Sequence, residues 1–240
     1  MQREESRAQP PDLHFEGLIV DLDGVVWVGA RAVSGSVAAI ARLRADGVRV
    51  VFMTNDPRGS RSDYAARLRG LGIPAYEHQV VTAGSTLASV LRQREAAGAT
   101  AFVIGSPSFK EELEGAGLEL LPGEAGRDAT FPMPDGPWPG TGSIVAAVEV
   151  GGGTTAIAVG KPEPEMFDVA RSLLAGCRRI AIVGDNLDAD IAGGDRAGLT
   201  TILVLTGTSK PDDVAGGSAV PDVVLPDLAA LIEADRESSH

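Results

Sequence analysis

Sulfur, imidazole and positive charge are all scarce in this chain of 240 residues, which has one cysteine and three histidines. A single cysteine, Cys177, excludes an intramolecular disulfide, and with so few histidines it makes no zinc-binding pattern. Cys177 reads instead as a small residue near a helix end. The 21 Lys and Arg residues are outnumbered by 33 Asp and Glu, for a net charge of −12. Nucleic acid and anionic membrane surfaces need a basic face and are excluded as partners. No apolar run is long enough to span a bilayer. Residues 1–12 lack the apolar stretch of a signal peptide. The expectation is a cytoplasmic protein with a flexible N-terminal arm. Hydrophobic residues make up 44% of the chain, enough for a sizeable core.

What the chain does have is an apolar run, Gly17-Leu18-Ile19-Val20, that stops at Asp21-Leu22-Asp23-Gly24. Residues i and i+2 of a strand point to one side, so Asp21 and Asp23 would share a small volume where the strand ends. Two like charges placed together call for a cation or a shared proton. Gly24 lets the chain fold back over that volume.

Further along, Val48 to Met53 is a second apolar run and ends at Thr54-Asn55-Asp56, with a helix predicted through Tyr64 and Leu71. Before it, a helix through Val37 and Leu43 starts at Ser34 as N-cap. Trp27 to Val33 reads as a connector, with Trp27 over the site entrance. Ser85 to Ala97 and Ser108 to Glu114 are predicted helices around a short strand at Ala101–Ile104. Leu121 to Gly142 is rich in proline and glycine, with Trp138 as an anchor against neighbouring structure. A helix over Ser143–Glu149 precedes a predicted strand at Ala156–Val159, which runs into Gly160-Lys161-Pro162. Arg179 to Val183 leads into Gly184-Asp185-Asn186-Leu187-Asp188-Ala189-Asp190, with Asp188 capping a helix to Ala197. Strands at Thr201–Leu205 and Asp222–Val224 and a helix over Asp227–Glu233 complete the pattern. Arg42, Arg44, Arg67 and Arg69 read as solvated helix faces.

Alternation of strand and helix predicts an α/β fold, a Rossmann-like three-layer core around a parallel sheet. In such sheets ligands bind beyond the carboxyl ends of the strands. Three carboxylates, a hydroxyl, an amide and an ammonium would meet there. Oxygen ligands without His or Cys suit a hard cation, Mg²⁺ above all, which leaves coordination sites for water and phosphate.

Asp21-Leu22-Asp23-Gly24, Thr54-Asn55, Gly160-Lys161-Pro162 and Gly184-Asp185 through Asp190 match, in order, the motifs of the haloacid dehalogenase superfamily. More narrowly the chain resembles the NagD/4-nitrophenylphosphatase-like branch (subfamily IIA), whose cap lies between the second and third motifs. The resemblance implies a catalytic core of residues 13–81 and 154–235 and a reduced α/β cap of residues 82–153. The arm of residues 1–12 and a tail of residues 236–240 would flank them. It also implies an Mg²⁺-dependent phosphomonoesterase acting on a small phosphate ester, of the glycerol 3-phosphate, phosphoglycolate, sugar phosphate or nucleotide class. Asp21 would be the nucleophile and form an aspartyl-phosphate. Asp23 would be general acid and then base. Lys161 would neutralise phosphate charge, and Thr54 and Asn55 would bind the phosphoryl group. Mg²⁺ would be held by Asp21, the Asp23 carbonyl and Asp185, with Gly24, Asn186 and Asp190 in support.

The chain departs from the motif pattern at Asp56, where the second motif usually has Asn, and at Ala189, where the fourth has Thr. A homodimer is compatible with the resemblance. The rival readings are a scaffold that kept the core but lost turnover, and a phospho-receiver module. A receiver is much shorter, and its phosphorylated Asp lies on an interior strand of the chain, not the first.

Overall fold

Gly17–Asp21 (β1) is buried at every position, and its alternating side chains serve two separate cores. Leu18 and Val20 face a cluster with Trp27, Ile40, Phe52 and Leu68. Ile19 faces the opposite layer, with Met53, Met166, Phe167 and Ile182. An apolar strand with both faces covered belongs in the middle of a parallel sheet, and that is its place. The computed structural model describes residues 13–103, 105–121, 132–133, 136–137, 141–153, 155–217 and 219–238.

Five further strands complete the sheet: β2 (Arg49–Thr54), β3 (Val80–Thr82), β4 (Ile180–Gly184), β5 (Thr200–Val204) and β6 (Val223–Leu225). Their spatial order is β6-β5-β4-β1-β2-β3, every pairing parallel. The chain therefore builds outward from β1 to β3, returns, and builds the other way from β4. The order reverses between β1 and β4, the kind of switch point beyond whose carboxyl ends open parallel sheets bind ligands.

Helices α1 (Ser36–Ala45) and α2 (Arg61–Gly70) follow β1 and β2. The start of α1 differs from the Ser34 expectation. Gly35 is its N-cap at φ 76°, and Ser36 donates its hydroxyl to the carbonyls of Val26 and Val33. α2 begins with a reciprocal capping box between Ser60 and Asp63. The connector after β1 is a short antiparallel ladder, Trp27–Val28 with Arg31–Ala32.

Between β3 and β4 lie α3 (Ala83–Gln93), α4 (Pro107–Glu114), α5 (Thr141–Gly152) and α6 (Pro164–Leu173). Thr82 caps α3 and Ser106 caps α4. A parallel pair, Thr100–Ala101 with Glu119–Leu120, packs with them around Ala88, Val103, Leu113 and Ala116. Within the proline-rich stretch, Pro132–Met133 pairs antiparallel with Gly136–Pro137. Residues 1–12 and, within that stretch, residues 122–131, 134–135 and 138–140, Trp138 among them, lie outside the described residues.

Two further expectations need correction. Ala156–Val159 is not a strand: residues 155–159 belong to no element, and Ile157 is 60% exposed. A four-residue apolar run carries too little pattern to separate strand from coil, and both neighbours of β1 are already present as β2 and β4. The segment instead carries Lys161 across the strand ends. The helix after β4 also does not begin as an α-helix. Leu187–Ile191 is a π-turn and α7 (Ala192–Arg196) follows it, with Asn186 rather than Asp188 as the cap. Asn186 Oδ1 accepts from the amides of Asp188 and Ala189. The wider π-turn carries Asp190 back toward the strand end, a distortion typical of functional sites. Helices α8 (Pro211–Gly216) and α9 (Ala229–Ser238) complete the chain.

Candidate active site

At the carboxyl end of β1 the Asp21 side chain meets Lys161 from the loop before α6 and Asp190 from the π-turn after β4. Lys161 Nζ lies 2.5 Å from Asp21 Oδ1 and 2.6 Å from Asp190 Oδ1. All three side chains are at least nine-tenths buried. Helix α6 anchors the lysine loop by burying Met166, Phe167 and Ala170. Full burial of a Met or Phe side chain contributes about 1.5–3 kcal/mol, so the helix is a firm base for Lys161.

Asp185 stands at the end of β4, 5% exposed. One oxygen from each of Asp21, Asp185 and Asp190 falls within a mutual 4.8 Å. Three glycines make this approach fit. A Cβ on Gly24 would lie 2.4 Å from Asp185 Cγ, one on Gly207 1.9 Å from Asp185 Oδ2, and one on Gly184 2.2 Å from Asp190 Cγ. Gly24 also has φ 84°, in the left-handed region that favours glycine.

These charges do not balance within the protein. Three buried carboxylates face one ammonium. Burial pushes the Asp21 carboxyl well above the usual carboxylate range; Lys161 pulls it down, and Asp190 and Asp185 add to the rise. Burial also acts against the Lys161 ammonium, but Asp190 and Asp21 outweigh it and hold its pKa above the ordinary value. The excess of two negative charges, on oxygen donors alone, is what a divalent hard cation would neutralise. Asp190 is committed elsewhere. Its Oδ1 accepts from Lys161 and its Oδ2 from the amide of Asn186. That leaves Asp21 and Asp185 as the carboxylates better placed to hold a metal.

The remaining site residues arrive from neighbouring strand ends. Thr54, 2% exposed at the end of β2, accepts the Asp56 amide on Oγ1 at 3.0 Å and keeps its hydroxyl proton to donate. The Asn55 side chain turns to the Lys161 backbone: Nδ2 donates to Lys161 O and Oδ1 accepts from Lys161 N, both at 2.8 Å. Asp23, half-buried, accepts on Oδ1 from Trp27 Nε1 at 3.0 Å. It lines a cleft of about 560 Å³ with Asp56, Arg58, Tyr64 and Arg67. Trp27 is fully buried and stacks on Tyr64, and the Arg67 guanidinium lies 3.9 Å above its ring. Arg67 therefore does not belong to a solvated face; it packs on the aromatic that orients Asp23.

One supporting loop escaped the sequence reading. Thr206-Gly207-Thr208-Ser209 follows β5 and cradles Asp185 and its surroundings. The Thr208 amide donates to Asp185 Oδ2, the Ser209 amide to the Asp185 carbonyl, and the Thr206 hydroxyl to the Gly24 carbonyl. A run of small polar residues at a strand's carboxyl end was the available signal.

Comparisons with known proteins give the chain's family. A family model described as haloacid dehalogenase-like hydrolase matches residues 18–119, and a second, HAD-hydrolase-like, matches residues 158–231. The chain is 33% identical over 287 residues to a glycerol-3-phosphate phosphatase of Gallus gallus, covering 92% of each chain. That alignment is longer than the 240-residue chain itself, so the relative has segments with no counterpart here. The structure is similar to a glycerol phosphate phosphatase from Mycobacterium tuberculosis in complex with magnesium. The TM-score is 0.78 at 27% identity, covering 93% of this chain and 78% of that one. It is also similar to NagD from E. coli K-12, with TM-score 0.76 at 27% identity, covering 89% of this chain and 97% of that one. The chain belongs to the haloacid dehalogenase-like hydrolases, in their NagD-like branch, and is a phosphatase of that family.

Proposed function

We propose that the chain hydrolyses a small phosphate monoester through an aspartyl-phosphate on Asp21, with glycerol phosphate as the leading substrate class. The observation that carries this reading is the buried Asp21–Lys161–Asp190 line beside Asp185, with Asp23 at the mouth of a cleft. The relatives' names support the substrate class.

Asp21 Oδ attacks phosphorus, and the ester oxygen leaves on the opposite side. Lys161 pulls the buried Asp21 carboxyl back toward its ionised form and offsets the charge of the phosphoryl oxygens. Thr54 donates its hydroxyl proton to one of those oxygens. Asp23, fixed by Trp27, gives a proton to the departing alcohol and takes one from the water that attacks the aspartyl-phosphate. Separate environments let the two acids play opposite roles: Asp21 is buried against an ammonium, while Asp23 opens to the cleft. Asp190 and Asn55 hold Lys161 by its ammonium and its backbone respectively. Asp21 and Asp185, with the Asp23 carbonyl, would hold Mg²⁺, which supplies charge neutralisation between two anionic reactants.

The test is phosphate release from glycerol 3-phosphate, 2-phosphoglycolate, sugar phosphates, nucleoside monophosphates and 4-nitrophenyl phosphate, with Mg²⁺ and with chelator. Mg²⁺-dependent turnover is expected. A folded protein that turns over none of them would be a scaffold that has lost catalysis.

A further inference from the structure

The cleft beside Asp23 is lined by neither Asp21 nor Lys161. In the mechanism proposed above, a cleft that opens beside Asp23 but not beside Asp21 or Lys161 is where the departing alcohol would sit. Its charged side chains are two carboxylates, Asp23 and Asp56, and two guanidiniums, Arg58 and Arg67. Arg67 is engaged on the Trp27 ring and on the Gly29 carbonyl. Arg58 is clasped by Asp56. Nε lies 2.8 Å from Oδ1, Nη2 lies 2.8 Å from Oδ2, and the Arg58 amide adds a third bond to Oδ1 at 3.0 Å.

The two partners are unequal. The Asp56 side chain is 13% exposed and that of Arg58 76%. Asp56 is held from beneath, its backbone carbonyl accepting from Tyr64 Oη at 3.0 Å. Burial works to raise the Asp56 carboxyl, and the Arg58 hydrogen bonds overcome it and leave its pKa below the ordinary value. The loop is pinned from both sides. The capping box at Ser60 and Asp63 fixes its far end. From α4 and its cap, Ser106 Oγ donates to the Pro57 carbonyl at 2.8 Å and Ser108 Oγ to Asp63 Oδ2 at 3.2 Å. A fixed carboxylate thus holds an otherwise solvent-exposed cation at the mouth of the cleft.

We propose that the Asp56–Arg58 pair reads the leaving group, selecting an uncharged, hydroxyl-bearing alcohol and turning away one that carries a carboxylate. This rests on the phosphatase reading of the site. The pair presents carboxylate lone pairs and guanidinium N–H groups side by side, and a hydroxyl can use both because it accepts and donates. A carboxylate can only accept. It would compete with Asp56 for Arg58 while facing the negative charge of Asp56. Arg58 is the contact and Asp56 the positioning residue that determines how much of its charge is available.

The experiment measures kcat/KM for 2-phosphoglycolate and for glycerol 3-phosphate on each preparation and takes their ratio, from which the fraction of active protein cancels. The wild type should favour glycerol 3-phosphate. Asp56→Asn keeps the shape but frees the cation and should raise the phosphoglycolate-to-glycerol-phosphate ratio about tenfold, the scale of one charge interaction in a solvent-open cleft. Arg58→Gln, at an exposed side chain that should leave folding intact, leaves Asp56 uncompensated and should lower the ratio several-fold. The double variant should lack the gain of Asp56→Asn. A wild type that prefers phosphoglycolate, ratios unmoved by both single variants, or a gain that persists without Arg58 would each overturn the proposal. Wild-type protein inactive on both esters and on 4-nitrophenyl phosphate would instead overturn the phosphatase reading, and this proposal with it.

Discussion

Asn55 and Lys161, more than a hundred residues apart in sequence, exchange two hydrogen bonds of 2.8 Å: amide nitrogen to Lys161 carbonyl, and Lys161 amide to amide oxygen. The end of β2 thereby grips the loop that brings the ammonium to Asp21. A primary amide donates and accepts at once, where a carboxylate can only accept. Asn55→Asp loses the donor and sets a carboxylate against the Lys161 carbonyl. It should cut kcat by at least tenfold and destabilise the fold by about 1–3 kcal/mol. Denaturant titration and steady-state kinetics check the two effects separately; wild-type kinetics would show that this clasp does not position Lys161.

Asp21→Asn preserves shape and the contact with Lys161 but removes the nucleophile. Turnover should fall below about one-hundredth of wild type, with an unchanged circular dichroism spectrum. Trapping with acid should recover phosphoprotein from the wild type and none from the variant. Phosphoprotein formed by Asp21→Asn would move the nucleophile elsewhere.

Trp27→Phe removes the indole N–H that holds Asp23 while keeping a ring between Tyr64 and Arg67. The loss should fall on proton delivery. Alkyl phosphates, whose alcohols leave poorly without a proton, should slow about tenfold, and 4-nitrophenyl phosphate should slow much less. Equal losses on both substrates would indicate general damage rather than a misplaced acid.

Mg²⁺ should raise the melting temperature, because it binds the folded acid cluster and not the unfolded chain. At a hundred times its dissociation constant the stabilisation is about 2.7 kcal/mol. Asp185→Asn should abolish that shift. Ca²⁺ should stabilise as well but support little turnover, since its larger and looser coordination misplaces nucleophile and phosphate. Calorimetric scans with each ion, beside rate measurements, separate binding from catalysis.

Gly207→Ala places a methyl group in collision with Asp185 Oδ2. Asp185 must move, and the Mg²⁺ concentration for half-maximal rate should rise about tenfold or more. An unaltered Mg²⁺ requirement would mean that the loop after β5 yields without disturbing Asp185.

The sequence by itself determined five of the six sheet strands, all but the three-residue β3. β1, β2 and β4 are apolar runs because a strand covered on both faces buries nearly every side chain, and each runs into a polar residue at its carboxyl end. Asp21, Asp23, Thr54 and Asp185 were legible for that reason, whereas Lys161 follows a segment that forms no strand and was legible only through its Gly160-Lys161-Pro162 motif. Local pattern failed where the cause was not local. Ala156–Val159 has strand composition but no strand to pair with, and the π-turn at Leu187–Ile191 exists to return Asp190 to Lys161. Only the tertiary structure decided how the polar groups divide their bonds. It turned the Asn55 side chain to the backbone of Lys161, set Arg67 over Trp27, and brought Gly207 against Asp185. It also made Asp56, a lone charge in the sequence, half of an ion pair with Arg58. Hydrophobic pattern follows burial, which each residue carries in its own chemistry, whereas a hydrogen bond between distant residues exists only once folding has brought both ends together.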